Sequence, residues 1–285
     1  MPSETTITTR KEGPVLWIAL ERPEVMNAYN ALMGQELCEA FDRADQDDAV
    51  RVIVLTGTGR VFCAGADISG GAQSFDTTAG SGAGNFGTAD DPGEAPDFIG
   101  AMYRCRKPSI VAFNGSAVGV GLTMTLAADI RISAANAKFG FVFARRGLVP
   151  EAGAAWFLPK LVGMGQALQW SLTGRIFSAQ EAADKGLVSE VCEAEELAER
   201  AREIAHEIAA NCAPVSVALT RQLFWRFAAA PSPFEVMEVD GQLALERGSS
   251  PDVHEGVAAF LEKRSPSFPG KVSTDMPPSY PWWDD

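Results

Sequence analysis

Apolar and polar positions along the first part of the chain follow two periods, one typical of buried strands and one typical of amphipathic helices. Residues 6–10 ("TITTR"), 15–22 ("VLWIALER") and 50–57 ("VRVIVLTG") predict strands, and residues 31–47 predict an amphipathic helix between the second and the third. The third strand is apolar enough to be covered on both faces. This pattern predicts an α/β fold.

A second strand, turn and helix cycle follows. Residues 108–115 predict a strand, 121–129 ("GLTMTLAAD") a buried helix, and 130–134 another strand, with "AKFGF" after it. Two junctions rich in glycine and alanine follow strands: "FCAGAD" at 62–67 and "NGSAVGVGLT" at 114–123. Unpaired amides at such turns stabilise a bound phosphate or an oxyanion in a transition state. The alternative is that small residues only let a helix pack closely on the sheet.

From residue 152 onward the pattern is mostly helical. Helices are predicted over 152–163, 165–174 and 178–186, and the last begins with an S-x-x-E capping box of Ser178 and Glu181. After a strand at 187–192, helices are predicted over 194–211, 214–230, 233–248 and 251–264. We expect a core over 1–195, a helical region over 196–265, and a tail over 266–285. The tail, rich in proline, is either loose or held by Trp282 and Trp283 on a neighbouring surface.

One long stretch, residues 70–96, is dense in Gly, Ser, Ala, Thr and Asp. It lacks the apolar residues of a packed element and is too long for a simple connection. We predict a mobile lid or surface excursion that forms part of a pocket wall.

Composition excludes several classes of function. A net charge of −13 and a pI near 4.7 repel phosphate backbones and anionic membranes, which argues against nucleic acid or membrane partners. Five scattered cysteines without C-x-x-C spacing predict reduced thiols and no structural zinc. Both histidines, His206 and His254, fall in predicted helices, so metal or triad chemistry has few candidates. The start has no apolar signal region and no window is long enough to span a membrane, so we expect a soluble cytoplasmic protein.

Familiar nucleotide and hydrolase motifs do not fit. In "GVGLTM", Met124 stands where a dinucleotide-binding fingerprint needs its third glycine, which argues against a nicotinamide oxidoreductase. The chain contains neither a phosphate-binding G-x-x-x-x-G-K-[ST] loop nor a G-x-S-x-G nucleophile elbow.

Four segments, in order and spacing, resemble the crotonase superfamily of enoyl-CoA hydratases and isomerases. They are "FCAGADIS", "KPSIVAFNGSAVGVGLTMTLAADIRIS", "KFGFVFARRGLVPEAGAAWFLPKLVG" and "LTGRIFSAQEAADKGLVSEV", and the resemblance covers roughly residues 5–265. It implies a ββα spiral core with a C-terminal helical region that forms trimers, often paired into hexamers. It also implies an acyl-CoA substrate, with coenzyme A as part of that substrate and no separate cofactor or metal.

The resemblance assigns two backbone donors to an oxyanion hole that polarises the thioester carbonyl, the amides of Ala66 and Val120. Many relatives have glycine at the second position, and Val120 suits it if its φ is negative. Hydratases of the family use two glutamates, and their positions hold Thr123 and Phe143 here. The two-carboxylate pair is therefore absent, although Thr123 could orient a water.

Glu151 lies in "GLVPEAGAAWFLPKLVG", an otherwise apolar stretch. In the resemblance, Δ3,Δ2-enoyl-CoA isomerases of the peroxisomal type place one acid in a similar "PEAG" turn, and isomerases of epoxidised phenylacetyl-CoA place an aspartate there. Apolar neighbours such as Leu148, Val149 and Trp156 are expected to raise the pKa of Glu151, as a reversible proton shuttle needs. Alternatively, Glu151 only begins a helix as an N-terminal acid.

Contacts with the rest of the substrate are implied by position alone. Ala64 is expected near the adenine, Val25 and Asn27 along the pantetheine, and Phe260 with Lys263 on the C-terminal helix that approaches CoA. Further predicted substrate contacts are Asp67, Ile68, Gly119 and Pro150. Glu24 stands where many relatives have a basic residue. Double-bond isomerisation is favoured, hydration by a single acid follows it closely, and the alternative of a different class is a crotonase-fold acyl-CoA binder without turnover.

Overall fold

Two β-sheets organise the chain, for which a computed structural model describes residues 5–76 and 97–283. The larger sheet has the strand order β1-β2-β3-β5-β7-β10 and the smaller has the order β4-β6-β8-β9. The strands are β1 (Ile7–Glu12), β2 (Val15–Leu20), β3 (Val52–Gly57), β4 (Val61–Cys63), β5 (Ser109–Phe113), β6 (Ser116–Val118), β7 (Ile130–Ala134), β8 (Lys138–Gly140), β9 (Ile176–Ser178) and β10 (Glu190–Cys192).

From β3 to β8, consecutive strands alternate between the two sheets. Strands β3, β5 and β7 pair in parallel in the larger sheet, and β4, β6 and β8, which directly follow them, pair in parallel in the smaller sheet. The hairpin β1–β2 and the pair β8–β9 are antiparallel. Two strands and then a helix therefore make each turn of the chain, which confirms the expected ββα spiral.

The helices connect these turns and then dominate the C-terminal part. They are α1 (Ala31–Gln46), α2 (Phe98–Arg104), α3 (Val120–Thr123), α4 (Ala154–Val162), α5 (Met164–Thr173), α6 (Ala179–Asp184), α7 (Leu197–Asn211), α8 (Pro214–Arg226), α9 (Pro233–Gly248) and α10 (Pro251–Glu262). Asn30 caps α1 by accepting a hydrogen bond from the Met33 amide. His206 and His254 lie in α7 and α10, as expected.

Strand β3 is covered on both faces, as its continuous apolar run predicts. Val52 and Val54 pack with one face of α7, whereas Ile53 and Leu55 pack with the core that contains α1. Successive side chains of a strand point to opposite faces, so this division follows directly from the period of two. The central sheet is therefore buried as a layer between helices.

The predicted helix over residues 121–129 is wrong in length, because α3 ends at Thr123. Beyond it, the amides of Thr125, Leu126 and Ala128 each bond to a carbonyl three residues back, which tightens the chain into successive turns. The Thr125 hydroxyl also donates to the Leu122 carbonyl at 2.7 Å, a side-chain bond that competes with helix continuation. The segment is buried, as predicted, but most of it is not α-helical.

The capping box predicted at α6 forms only in part. The Ser178 hydroxyl accepts a hydrogen bond from the Glu181 amide at 3.1 Å. The Glu181 carboxylate instead accepts from Trp170 Nε1 at 2.9 Å and pairs with Arg175. A charged partner is stronger than a backbone amide here, so the acid joins α5 to α6 rather than closing the box.

The C-terminal tail is held on a surface, which was one of its two predicted states. Trp282 stacks in parallel on Phe227, with ring centroids 6.2 Å apart, and packs with side chains of α8 and α9. The Arg226 guanidinium lies 3.8 Å from the centroid of the Trp283 ring, a cation–π contact. Aromatic contacts therefore hold the tail, together with hydrogen bonds such as those that Ser273 donates to Asp48 and Ser279 donates to Glu246.

Most of the predicted excursion at 70–96 falls at 77–96, outside the described residues. Its beginning forms a short 3₁₀ turn at Gly71–Gln73. All five cysteines are unpaired. Of the helices described at 5–76 and 97–283, none combines the length and apolar character that crossing a bilayer requires.

Candidate active site

The loop after β4 leaves the Ala66 amide without an acceptor among the described residues. Its neighbours are paired: the Tyr29 amide donates to the Gly65 carbonyl and the Asp67 amide donates to the Tyr29 carbonyl, each at 2.8 Å. These bonds make a parallel bridge between Tyr29 and Ala66. In such a bridge the Ala66 N–H points away from Tyr29. The bonds that Gly65 and Asp67 make with Tyr29 hold this donor in place on either side.

The Val120 amide is a second donor without an acceptor in the described part of the chain. Val120 begins α3, and the first amides of a helix have no intrahelical partner. The left-handed conformation falls on Gly119, with φ 56°, and Val120 keeps a negative φ. The condition placed on a valine at this position is therefore met.

Glycine brings the two turns into contact. Gly65 has φ 113°, and a Cβ there would lie 3.1 Å from the Val118 carbonyl oxygen. A Cβ at Gly121 would lie 2.5 Å from the Cys63 carbonyl, so only glycine lets α3 pack this closely against β4. Close packing and free donors, the two alternatives for these junctions, are thus both present.

A cavity of about 260 Å³ opens beside these two turns. Its described lining is mainly apolar and includes Phe75, Val142, Phe143, Leu148 and Val149. Polar character comes from exposed backbone at the two turns and from the side chains of Glu151 and Arg146. An apolar cleft with a few convergent polar groups is the usual form of a small-molecule site.

Glu151 enters this cavity from a strained turn. Ala152 and Gly153, which follow it, both adopt left-handed backbone, with φ 56° and φ 68°. The Ala154 amide closes the turn by donating to the Glu151 carbonyl at 3.0 Å. Left-handed alanine costs about 1 kcal/mol, and such strain concentrates at functional sites. Glu151 therefore precedes α4 and does not lie in its first turn.

The Glu151 carboxylate is partly buried and accepts a hydrogen bond from the Thr123 hydroxyl at 2.6 Å. Burial raises the pKa of this carboxyl above its ordinary value, and the hydrogen bond from Thr123 partly opposes the rise. Among the described lining residues it is the only carboxylate. The cavity is therefore lined by one carboxyl group and by the two residues whose amides lack an acceptor.

The structure brings together half of the residues predicted from sequence. Those that line the cavity are Ala64, Ala66, Ile68, Gly119, Val120 and Glu151. Leu148 and Val149 line it as well, whereas Trp156, predicted beside Glu151, packs against Tyr103 and Phe157 instead. Thr123 contacts Glu151, and Phe143 is buried in the cavity wall.

Other predicted contacts lie outside the lining. Val25 occupies an exposed 3₁₀ turn, and Pro150 precedes Glu151 in the loop. Asp67 pairs with Arg22 at 3.0 Å, which fixes the loop after β4. Phe260 is 83% exposed on α10, and Lys263 ends that helix with φ 55°.

Asn27, predicted as a pantetheine contact, is fully buried, and its side chain holds the loop together instead. Its amide nitrogen donates to the carbonyls of Thr58 and Val61 at 2.9 Å, and its oxygen accepts from the Arg22 amide at 2.8 Å. Both donor hydrogens of this buried amide are therefore used inside the protein.

Arg146 was missed in the sequence, although its position in "FARRG" after the second turn could have drawn attention to it. It is exposed and lines the cavity, and its side chain makes no hydrogen bond or ion pair with the described residues. The adjacent Arg145 is different, since it donates to the Thr173 carbonyl at 2.8 Å. No cluster of His, Cys, Asp and Glu suited to a metal occurs at 5–76 and 97–283.

Comparisons with known proteins agree with this fold. A family model described as Enoyl-CoA hydratase/isomerase matches residues 10–271. Enoyl-CoA hydratase ACTT3 of Alternaria alternata is 39% identical over 266 residues, covering 91% of this chain and 86% of that protein. The 1,2-epoxyphenylacetyl-CoA isomerase of Escherichia coli is 36% identical, covering 93% and 98%.

A solved structure, a probable enoyl-CoA hydratase/isomerase from Mycobacterium abscessus, superposes with a TM-score of 0.83 at 36% identity, covering 93% of this chain and 99% of that one. Fold and sequence thus define a crotonase-fold protein. The chain belongs to the enoyl-CoA hydratase/isomerase family.

Proposed function

We propose that this protein is an enoyl-CoA isomerase that shifts a double bond from Δ3 to Δ2, with Glu151 as its single acid and base. The observation that carries the proposal is that Glu151 is the one carboxylate among the described residues of the cavity. The two positions that hold glutamates in two-acid hydratases hold Thr123 and Phe143. One carboxylate suffices to move a proton between two carbons, whereas the addition of water commonly uses two carboxylates.

In the proposed reaction the thioester carbonyl oxygen accepts hydrogen bonds from the amides of Ala66 and Val120. Glu151 removes a proton from C2, and the electron pair of that C–H bond delocalises onto the carbonyl oxygen as a dienolate. The two amides stabilise the developing negative charge. Glu151 then returns the proton to C4, which leaves the double bond between C2 and C3 and regenerates the carboxylate.

Hydration is the second candidate, because the Alternaria alternata relative is named an enoyl-CoA hydratase. Glu151 would then both activate water and protonate C2. A non-catalytic acyl-CoA binder is the third possibility. The strained turn that places Glu151 beside free donors supports turnover over binding alone, since such strain is seldom kept without a use.

One assay pair separates these candidates. The protein is incubated with panels of 3-enoyl-CoA and 2-enoyl-CoA thioesters, and double-bond migration and 3-hydroxyacyl-CoA formation are followed separately. The proposal expects migration with every accepted 3-enoyl-CoA and slower water addition. Fast hydration without migration contradicts it, and binding without either product supports the third possibility.

The rate of isomerisation should depend on pH through Glu151. Burial disfavours the charged form and raises its pKa above the ordinary 4.5, and the base step needs the charged form. We therefore expect kcat/KM to rise with pH along an acid limb that lies above pH 4.5. The measurement is the pH profile with folding checked by circular dichroism, and a profile that stays flat down to pH 4.5 contradicts the assignment.

Arg146 is proposed to attract an anionic group of the substrate, since it is an unpaired cation at a cavity of a protein with net charge −13. Arg146→Met should raise KM for an enoyl-CoA roughly two- to fivefold at low salt with little change in kcat, as expected for an exposed ion pair. The difference should shrink as salt is added. Arg145→Met removes the same charge one residue away and is the matched control. Equal KM changes in the two variants would contradict a specific role for Arg146.

CoA contacts and assembly complete the proposal. The loops that carry Val25, Ala64 and Ile68 are proposed to bind the CoA moiety, with Phe260 and Lys263 of α10 approaching it from an adjoining subunit.

A homotrimer, or a dimer of trimers, is supported by exposed apolar side chains on the C-terminal helices. They are Phe224, Phe234, Met237, Leu245, Val257, Phe260 and Leu261. Sedimentation equilibrium tests the number of subunits.

A further inference from the structure

The Thr123 hydroxyl is the only hydrogen-bond partner of the Glu151 side chain among the described residues. Thr123 is fully buried, and its oxygen lies 2.6 Å from Glu151 Oε1 across a separation of 28 residues. This distance is at the short end of the range for a hydroxyl that donates to a carboxylate. The contact joins the turn after β8 to helix α3.

We propose that Thr123 is a positioning residue that holds Glu151 Oε1 and thereby leaves Oε2 to exchange the proton with the substrate. This inference rests on the proposed function, because it specifies how the acid and base of that function is oriented. Thr123 itself contacts no reacting atom. It occupies the position at which two-acid relatives have a carboxylate, and here its hydroxyl serves the remaining carboxylate.

The direction of this hydrogen bond follows from the available acceptors. A hydroxyl has one proton to donate, and three oxygens lie within reach of Thr123 Oγ1. The carbonyls of Gly119 and Val120 are each 3.4 Å away, whereas Glu151 Oε1 is 2.6 Å away. The proton therefore goes to Glu151. Because Oε1 already accepts a hydrogen bond, Oε2 is the more basic oxygen and the one available to C2 and C4.

The same short helix carries both parts of the site. Val120, which lines the cavity, and Thr123, which donates to the Glu151 carboxylate, are the first and last residues of α3. One rigid turn thus fixes the positions of both the amide donor and the base. This keeps the proton acceptor aligned with a bound thioester. A misplacement of about 1 Å in such an arrangement can cost on the order of 100-fold in rate.

The charge environment of Glu151 agrees with this role. Tyr29, on the segment bridged to Ala66, interacts electrostatically with Glu151, and Arg146, on the turn after β8, lines the same cavity. Burial, with smaller contributions from Cys38 and Glu151, raises the pKa of Tyr29, so its phenol stays neutral near pH 7. Hydrogen bonding by Thr123 favours the ionised carboxylate against the effect of burial.

Thr123→Val and Thr123→Ser test the inference. Valine keeps the shape and removes the hydroxyl, so we expect kcat for isomerisation to fall about 10- to 100-fold with KM nearly unchanged, and the acid limb of kcat/KM to move to higher pH. Serine restores the hydroxyl and should recover most of the rate and the original limb. Wild-type kcat and an unmoved limb in Thr123→Val would overturn the inference, as would an equal loss in Thr123→Ser.

Two further comparisons keep the inference testable. If Thr123→Val does not fold, Thr123→Ser is compared with Thr123→Ala, because these variants both lack the methyl group and differ only by the hydroxyl. The double variant Thr123→Val/Glu151→Gln should be no slower than Glu151→Gln alone, since Thr123 acts through Glu151. Additive losses would refute positioning. Full activity of Glu151→Gln would instead refute the proposed function itself, whatever the Thr123 variants do.

Discussion

Glu151→Gln should lower kcat for double-bond migration by about 10²- to 10⁴-fold, the range for loss of a general acid and base. Glutamine fills the same space and its oxygen can still accept from Thr123, so substrate binding should survive. Steady-state kinetics with a 3-enoyl-CoA and calorimetric titration with a saturated acyl-CoA measure the two effects. Turnover within about tenfold of the wild type would contradict the role of Glu151.

Thermal stability shows whether Glu151→Gln loses activity for a chemical reason or because it unfolds. Because the pKa of Glu151 is raised in the folded protein, its ionised form is less favourable folded than unfolded, and stability falls as pH rises through that raised pKa. The variant lacks this charge, so its melting temperature at neutral pH should be at least as high as that of the wild type. The difference should disappear below pH 4.5. Glu193→Gln, at an exposed acid in the turn before α7, is the matched control.

Val120→Pro should lower kcat by about 10²- to 10³-fold, the range for loss of one oxyanion donor. Proline removes the amide proton, which has no acceptor among the described residues. The substitution should fold, because Val120 is the first residue of α3, where proline is well tolerated, and Gly119 before it has no Cβ to meet the ring. The measurement is kcat for isomerisation together with the melting temperature.

Val120→Ala is the control for this second prediction, because it shortens the side chain and keeps the amide. It should lose far less activity than Val120→Pro. Equal losses in the two variants would show that the side chain of Val120, and not its N–H, matters for the rate.

The strands and most helices could be predicted because the residues that determine them lie within or next to the element itself. A run such as "VRVIVLTG" needs burial on both faces, and Ser178 caps α6 through an amide three residues away. Where longer contacts decide, the pattern fails. The carboxylate of Glu181 pairs with Arg175 and Trp170 instead of its own helix, and the backbone after Thr123 tightens into turns within a buried segment.

The candidate site divides in the same way. Glu151 could be predicted because a charge in an apolar run is unusual, and the glycines mark turns that expose amides. The hydrogen bond from Thr123 joins residues 28 positions apart, and neither residue alone signals it. Asn27 was predicted as a ligand contact because its loop resembles one that contacts CoA. Its side-chain amide instead donates to the carbonyls of Thr58 and Val61.

The central claim is that one carboxylate moves a proton without adding water. It is tested most directly by incubating the protein with a 3-enoyl-CoA in water labelled with oxygen-18 and recording the mass of the first product. We expect a 2-enoyl-CoA of unchanged mass, free of the label, as the first product. A 3-enoyl-CoA left unchanged by protein that adds one labelled water to a 2-enoyl-CoA would contradict it.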